Sequence, residues 1–306
     1  MRPRLVNEED AELPKGISRA RVLPDETLGR LWHSIILPET LRGKLLSQAA
    51  LNFTVRGRVE RDVLPLHGII LLTGLPGTGK TSLAKGLAHR VAETFPKQRF
   101  RLLEVEPHSL TSSAMGKTQR AVSELFAQTI AEAAAQGPTI VLLDEVETLA
   151  VDRTRLSMDA NPIDIHRATD AVLVQLDLLA ERYPHLLFIA TSNFPDAIDD
   201  AFTSRCDLVL EIPLPDASAR AAILKQCLEG VGRTFPGIAA LAKAGGIEAC
   251  ATACEGLDGR TIRKMVANAM AADPATALNP NSLTLEHLLA AAKDARALRV
   301  RDGSKA

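Results

Sequence analysis

One stretch of eight residues constrains this chain more than any other: Gly74-Leu75-Pro76-Gly77-Thr78-Gly79-Lys80-Thr81. It meets the pattern G-x-x-x-x-G-K-[ST] at every fixed position. The apolar run Gly68–Thr73 before it reads as a strand, and Thr81–Glu93 after it reads as a helix. In that setting the glycines let backbone N–H groups turn inward around phosphate oxygens, and the helix N-terminus adds partial positive charge. Lys80 reaches the β- and γ-phosphates, and the Thr81 hydroxyl is a Mg²⁺ ligand. Gly74, Pro76, Gly77, Thr78, Gly79, Lys80 and Thr81 are therefore the candidate nucleotide-binding residues. A chance glycine-rich turn has no reason to meet all these positions between a strand and a helix.

The flanking pattern extends the same reading. Further strand-like apolar runs are Arg101–Val105, Thr139–Leu143, Leu186–Thr191 and Leu208–Ile212. Helical stretches at Thr118–Ala135, Ile163–Ala180 and Ala197–Thr203 separate them. Short apolar strands alternating with helices predict an α/β fold, a parallel sheet covered by helices on both faces. Upstream, Leu28–Val55 carries helical periodicity that Pro38 divides in two. Beyond Pro213 and Pro215 strand signals stop, and Ala217–Gly230, Ile238–Cys254, Gly259–Ala272 and Thr284–Leu298 read as helices. The expected domains are a mobile arm over residues 1–27, a large α/β domain over 28–212, and a small all-α lid over 213–306.

Composition excludes several classes. Net charge is -1, so no global positive field draws the chain to nucleic acid or anionic lipid. No apolar run approaches the ~18 residues of a membrane span, and the charged, proline-bearing N-terminus lacks a signal-peptide core. The chain reads as cytoplasmic. Cys206, Cys227, Cys250 and Cys254 form neither a disulfide framework nor a zinc-ligand pattern, and read as free thiols.

The chemistry beyond the phosphate loop sits at strand ends. Ile140-Val141-Leu142-Leu143-Asp144-Glu145 ends a strand in two carboxylates. Asp144 reads as the residue supporting the Mg²⁺ shell, and Glu145 as the base that deprotonates the attacking water. The adjacent glutamate favours hydrolysis over small-molecule phosphoryl transfer, and no Asn-Lys-x-Asp guanine-reading motif follows. Asn193 closes the next strand and is placed to hold the water and γ-phosphate. Arg205, in Asp200-Ala201-Phe202-Thr203-Ser204-Arg205-Cys206-Asp207, reads as a finger for a neighbouring subunit's phosphate. Its alternative is a surface arginine paired with Asp207. Arg260, in Gly256-Leu257-Asp258-Gly259-Arg260, opens a lid helix and could report the γ-phosphate to it. The alternative there is a capped helix start with a solvated arginine.

The order of these motifs resembles that of AAA+ ATPases. The wording is similar to the pachytene-checkpoint (thyroid-receptor-interacting) branch, which remodels HORMA-domain proteins. Carrying it are Leu31-Trp32, GLPGTGKTSLAKGLA from Gly74, Glu106-Pro107-His108-Ser109-Leu110, DEVETLA from Asp144, Ala171-Val172-Leu173-Val174-Gln175-Leu176-Asp177, TSNFPDAIDDAF from Thr191 with Arg205 and Asp207, and GLDGR from Gly256. The resemblance implies the AAA+ P-loop fold with a lid, ATP and Mg²⁺ as cofactors, and a homohexamer with ATP between subunits. It also implies a substrate pore loop over Ser113, Ala114, Met115 and Gly116. Eukaryotic members place an aromatic pair where this chain has Ala114-Met115, and they carry a folded adaptor-binding domain ahead of the motor. The short N-terminus is similar to compact bacterial members, which accompany HORMA proteins and cGAS-like nucleotidyltransferases in anti-phage signalling. The implied function is ATP-dependent opening of a HORMA protein, which silences second-messenger synthesis. Two alternatives stay open: a nucleic-acid motor or clamp-loader-like ATPase, and an ATP-gated assembly module without unfolding activity.

Overall fold

The structure is a computed structural model, and it describes residues 13–107, 110, 117–150, 162–243 and 245–303. The chain divides into two compact units. One comprises Met1–Arg30, Lys44–Thr73 and Ala84–Leu210; the other comprises Leu31–Gly43, Gly74–Leu83 and Glu211–Ala306.

The first unit is built on a sheet that has six strands among the described residues. In chain order, β1 (Ile17–Leu23) precedes helices α1 (Glu26–Ser34) and α2 (Glu39–Val55), then come β2 (Ile69–Thr73), α3 (Lys80–Thr94) and β3 (Phe100–Val105). Helix α4 (Lys117–Glu124), a π-helical segment (Leu125–Ile130) and α5 (Ala131–Ala135) lead to β4 (Thr139–Leu143). Helix α6 (Pro162–Arg182), β5 (Leu186–Ser192), α7 (Asp200–Thr203) and β6 (Leu208–Glu211) complete the series. The strand order is β1-β3-β4-β5-β2-β6. The β3/β4, β4/β5 and β5/β2 pairs are parallel.

Every residue of β2, β4 and β5 is buried. Strands covered on both faces lose the alternation of a one-sided sheet, which is why they read in sequence as continuous apolar runs. Val141, Leu143, Phe188 and Ala190 pack with Phe126, Ile130, Val172 and Leu176 from the segments between the strands. Elsewhere in the same unit, Phe53 of α2 and Phe95 meet Phe100 of β3 edge-on or tilted, with ring centroids 4.9 and 5.8 Å away. The first crossover leaves β2 and skips β5 and β4 to reach β3. The crevice at the C-terminal end of β2 is thus a topological switch point, where open α/β sheets bind ligands.

One expectation is corrected here. Residues 17–23 are not part of a mobile arm: they form β1, antiparallel to β3 from Ile17 opposite Val105 to Leu23 opposite Phe100. Only Ile17 and Leu23 of this edge strand are buried, and Ser18, Arg19 and Ala20 face solvent. The segment therefore lacks the apolar alternation that marks a strand in sequence. The sheet is accordingly mixed, antiparallel at this edge and parallel across β3, β4, β5 and β2.

In the second unit, α8 (Ala217–Gly232), α9 (Pro236–Leu241), α10 (Ile247–Ala253), α11 (Gly259–Met270), α12 (Pro274–Leu278) and α13 (Leu285–Gly303) follow one another. The helix expected over Ile238–Cys254 is two, because Gly246 adopts a φ of 113°, open to glycine without strain. Leu224, Leu228, Ile238, Ile262, Met265, Val266 and Leu288 form a shared core. Aspartates cap three of these helices: Asp216, Asp258 and Asp273 accept the N–H groups of Ala219, Thr261 and Thr276. Such caps satisfy donors that the first turn leaves unpaired. Among the described residues, no helix is long and apolar enough to cross a membrane.

Candidate nucleotide site

The phosphate loop lies in the second unit, and its conformation depends on glycine at two points. Gly77 and Gly79 have φ of 84° and 94°. A Cβ on Gly77 would lie 2.1 Å from Asp258 Oδ1, and one on Gly79 would lie 2.5 Å from Ile35 Cδ1. Both positions thus combine left-handed backbone with close approach, and a side chain at either would fill the cradle. The Lys80 ammonium folds inward and donates to the carbonyls of Gly74 (2.7 Å) and Leu75 (3.0 Å). Lys80 and Thr78 are buried, and Thr78 Oγ1 also donates to Leu75 O, at 2.9 Å. Thr81 follows Lys80 in the first turn of α3. Helix α11 touches the loop through its backbone, Arg260 N–H donating to Gly77 O at 3.2 Å.

A cavity of about 450 Å³ opens beside this loop within the same unit. Gly77, Thr78 and Gly79 line it with Arg260, Arg263 and Lys264, three cationic side chains suited to phosphate. The rest of its wall is apolar: Ile35, Ile36, Leu37, Pro213, Pro215 and Ile223. Arg263 Nη2 donates to Ser34 O (2.6 Å) and Gln226 Oε1 (2.7 Å), so it fixes the chain entering that wall. Cationic side chains and an apolar wall lining one cavity suit a nucleoside triphosphate. Sequence reading missed the apolar wall, because its residues come from three separate segments and form no local pattern.

The acids belong to the first unit. Thr191 stands between them: its hydroxyl donates to Asp144 Oδ1 and accepts the Glu145 N–H at 3.2 Å. Asn193 Nδ2 donates to Glu145 Oε1 at 3.2 Å. Its backbone N–H donates to Glu147 Oε1 at 3.1 Å, which brings in a third carboxylate that sequence reading passed over. Glu145 is the sole non-glycine residue with positive φ among the described residues, at φ 53° and ψ 55°. Left-handed backbone costs a non-glycine residue about 1–2 kcal/mol, and such strain gathers at functional sites. Asp144, Glu145 and Asn193 are therefore together, but Asn193 contacts the glutamate rather than standing apart from it.

Arg205 is part of the first unit as well, and its partner is not Asp207. Its Nε and Nη2 donate to Asp177 Oδ1 (2.9 Å) and Oδ2 (2.7 Å), and Nη1 donates to Ala201 O at 2.6 Å. The hydrogen-bonded Arg205 guanidinium holds the Asp177 carboxyl below its ordinary range, and the carboxylate raises the arginine in turn. Asp207 instead accepts three backbone N–H groups, from His67 (2.8 Å), Gly68 (2.7 Å) and Ile69 (3.2 Å). Arg260 is exposed at the start of α11. The expected pore-loop residues Ser113, Ala114, Met115 and Gly116 lie outside the described residues. The four cysteines are free, and burial pushes the Cys206 thiol up to about 12 and Cys254 to about 11.

A phosphate loop that follows directly on strand β2 in the chain, and two carboxylates that follow directly on β4, are the marks of a nucleoside triphosphatase. Comparison with known proteins gives the same class. Residues 70–214 match the ATPase family associated with various cellular activities (AAA). The chain is 66% identical to CD-NTase-associated protein 6 of Pseudomonas aeruginosa over 296 residues, 97% of either chain. It is 34% identical to a pachytene checkpoint protein 2 homolog of Oryza sativa subsp. indica over 290 residues, 82% of this chain and 61% of that one. The solved structure of C. elegans PCH-2 superposes with a TM-score of 0.71 at 26% identity, covering 94% of this chain and 78% of that one. The Trip13-containing E. coli MS115-1 HORMA:CdnC:Trip13 complex gives a TM-score of 0.74 at 18% identity, covering 90% and 94%. The chain belongs to the AAA family of ATPases, in the branch that holds CD-NTase-associated protein 6 and the pachytene checkpoint protein 2 homologues. It is thus a nucleotide-binding ATPase.

Proposed function

We propose that this ATPase opens or disassembles HORMA-domain proteins as a homohexamer, and so restrains CD-NTase signalling in anti-phage defence. The carrying observation is the Glu145 carboxylate, held by Asn193 on a strained backbone beside Asp144. That arrangement suits a base acting on water. The choice of target is supported by the 66% identical relative, a CD-NTase-associated protein, and by the likeness to chains named with HORMA and CdnC.

In this reading residues 28–212 work as the ATPase domain and 213–306 as its lid. The backbone N–H groups of Gly74, Pro76 excepted, through Thr81 bind phosphate oxygens. Lys80 exchanges its loop carbonyls for the β- and γ-phosphates. Thr81 and Asp144 would hold Mg²⁺, which supplies charge neutralisation at the phosphates. Thr191 fixes the Asp144 carboxylate by its hydroxyl. Glu145 takes the proton from water, and Asn193 keeps the carboxylate turned to it. The apolar wall at Ile35, Ile36 and Leu37 takes the base. Arg205 reaches a neighbour's γ-phosphate, and Arg260 carries the state of the site into the lid. Ser113, Ala114, Met115 and Gly116 form the substrate-gripping loop, with Met115 as its apolar wedge.

The test is Glu145→Gln. It is expected to bind ATP within about threefold of wild type, form hexamers and retain a HORMA protein, while turnover falls about 10²–10⁴-fold. Wild-type hydrolysis by this variant would remove Glu145 from its role. Turnover stimulated by DNA but not by a HORMA protein would overturn the choice of target.

A further inference from the structure

We propose that Asp177 is a positioning residue for Arg205, holding its guanidinium ready for the phosphate of an adjacent subunit. The proposal rests on the reading of Arg205 as the residue that acts in trans.

Arginine carries five N–H donors in a rigid fork. Three of those in Arg205 are engaged within its own subunit: two on Asp177, side-on and bidentate, and one on the Ala201 carbonyl. The remaining two have no partner among the described residues, so the same fork can meet an anion without releasing Asp177. A long side chain otherwise loses much rotamer freedom on engaging a target, and a pair formed beforehand removes that cost from the reacting complex.

The surroundings favour a preset over a static surface bridge. Arg205 is about one quarter exposed and Asp177 more than one third, so the pair lies at the surface where a second copy can reach it. Val174 and Leu178 flank Asp177 on α6 and are exposed at 55% and 54%. Exposed bridges of this kind contribute little to stability, which leaves orientation as their consequence. A rival for the carboxylate exists: His67 Nε2 lies 3.6 Å from Asp177 Oδ1. Burial first, and then the charge of Arg61, depress the His67 pKa. The ring therefore carries less charge towards Asp177 than a solvated histidine would, and at 3.6 Å it does not displace the bidentate arginine.

The test compares Asp177→Ala, Asp177→Asn, Asp177→Glu and Arg205→Ala in the full chain, by steady-state ATPase kinetics and thermal melting. Asp177→Ala is expected to lower kcat roughly three- to tenfold with KM within about twofold and melting near wild type. Asp177→Glu restores most of the loss, because a longer carboxylate can still grip the fork. On an Arg205→Ala background, Asp177→Ala adds nothing further. If Asp177→Ala fails to fold, Asp177→Asn gives the reading, since it keeps the shape and loses the charge-assisted pair. Should Arg205→Ala lower kcat while neither Asp177→Ala nor Asp177→Asn does, the positioning role is refuted. An additive loss in the double variant refutes it equally. Wild-type kcat in Arg205→Ala would instead refute the trans-acting arginine itself.

Discussion

Replacing Asp207 by alanine tests whether this carboxylate is a structural clamp rather than the partner of Arg205. Its oxygens accept N–H groups from His67, Gly68 and Ile69 at 2.8, 2.7 and 3.2 Å. Those residues lead into β2, whose Ile69 is fully buried. Hydrogen bonds to a charged group contribute about 1.5–3 kcal/mol each. The third bond is long, and Asp207 is partly exposed, so water can reach the freed donors. Two bonds at the low end give an expected loss of about 2–4 kcal/mol. For a protein of this size that lowers Tm by about 3–6 °C. The assay is far-UV circular dichroism melting, without nucleotide and at matched protein concentration, since ligand and assembly both raise apparent stability. Asp200→Ala is the control: Asp200 is exposed in the first turn of α7, and its loss should stay within about 0.5 kcal/mol. An Asp207→Ala protein that melts within about 2 °C of wild type would refute the clamp.

Two further outcomes follow from buried and capping charges. Arg56 is buried, and its Nη1 and Nη2 donate to the carbonyls of Leu186 (2.6 Å) and Ala180 (3.0 Å); burial lowers its pKa to about 10, still charged at neutral pH. Arg56→Met orphans both carbonyls and should cost about 2–4 kcal/mol by urea unfolding, with Arg56→Lys losing about half of that. The Asp216 carboxyl is held below its ordinary value of 3.8, chiefly by the Ala219 N–H that it caps. Its stabilisation is therefore complete above that value and is lost as pH falls through the folded pKa. The gap in urea midpoint between wild type and Asp216→Ala should be flat from about pH 5 to 8 and close below about pH 4. A gap that persists in acid would show that the cap does not depend on the charge.

Legibility in the sequence followed how local each signal was. The phosphate loop was readable because residue identity alone dictates its backbone, and Gly77 and Gly79 occupy the angles that their type permits. The inner strands were readable because burial on both faces leaves a continuous apolar run. Strand β1 was hidden because one edge strand with two buried residues carries no periodic signature. The π-helical turn at Leu125–Ile130 keeps the apolar spacing of an ordinary helix. The partner of Arg205 was not readable for a different reason. Asp177 stands 28 positions away on α6, while Asp207 lies two residues on and offered the nearer, wrong choice. Contacts that the fold makes across such separations leave no trace in spacing.

The acids show how sheet register becomes chemistry. In the parallel ladder Leu143 is opposite Ala190, so the next residues in line are Asp144 and Thr191. The hydroxyl reaches the carboxylate as a consequence of register, and a slip of one residue would turn Thr191 to the other face of the sheet. Register alone cannot deliver the second acid, because successive side chains of a strand point to opposite faces. Two adjacent carboxylates serve one site only if the backbone leaves the strand between them. Glu145 does so with its left-handed φ and ψ, and its N–H turns to the Thr191 hydroxyl while its carboxylate meets Asn193. The strain at Glu145 is thus the geometric cost of aiming both acids together. That cost falls on the residue proposed as the base.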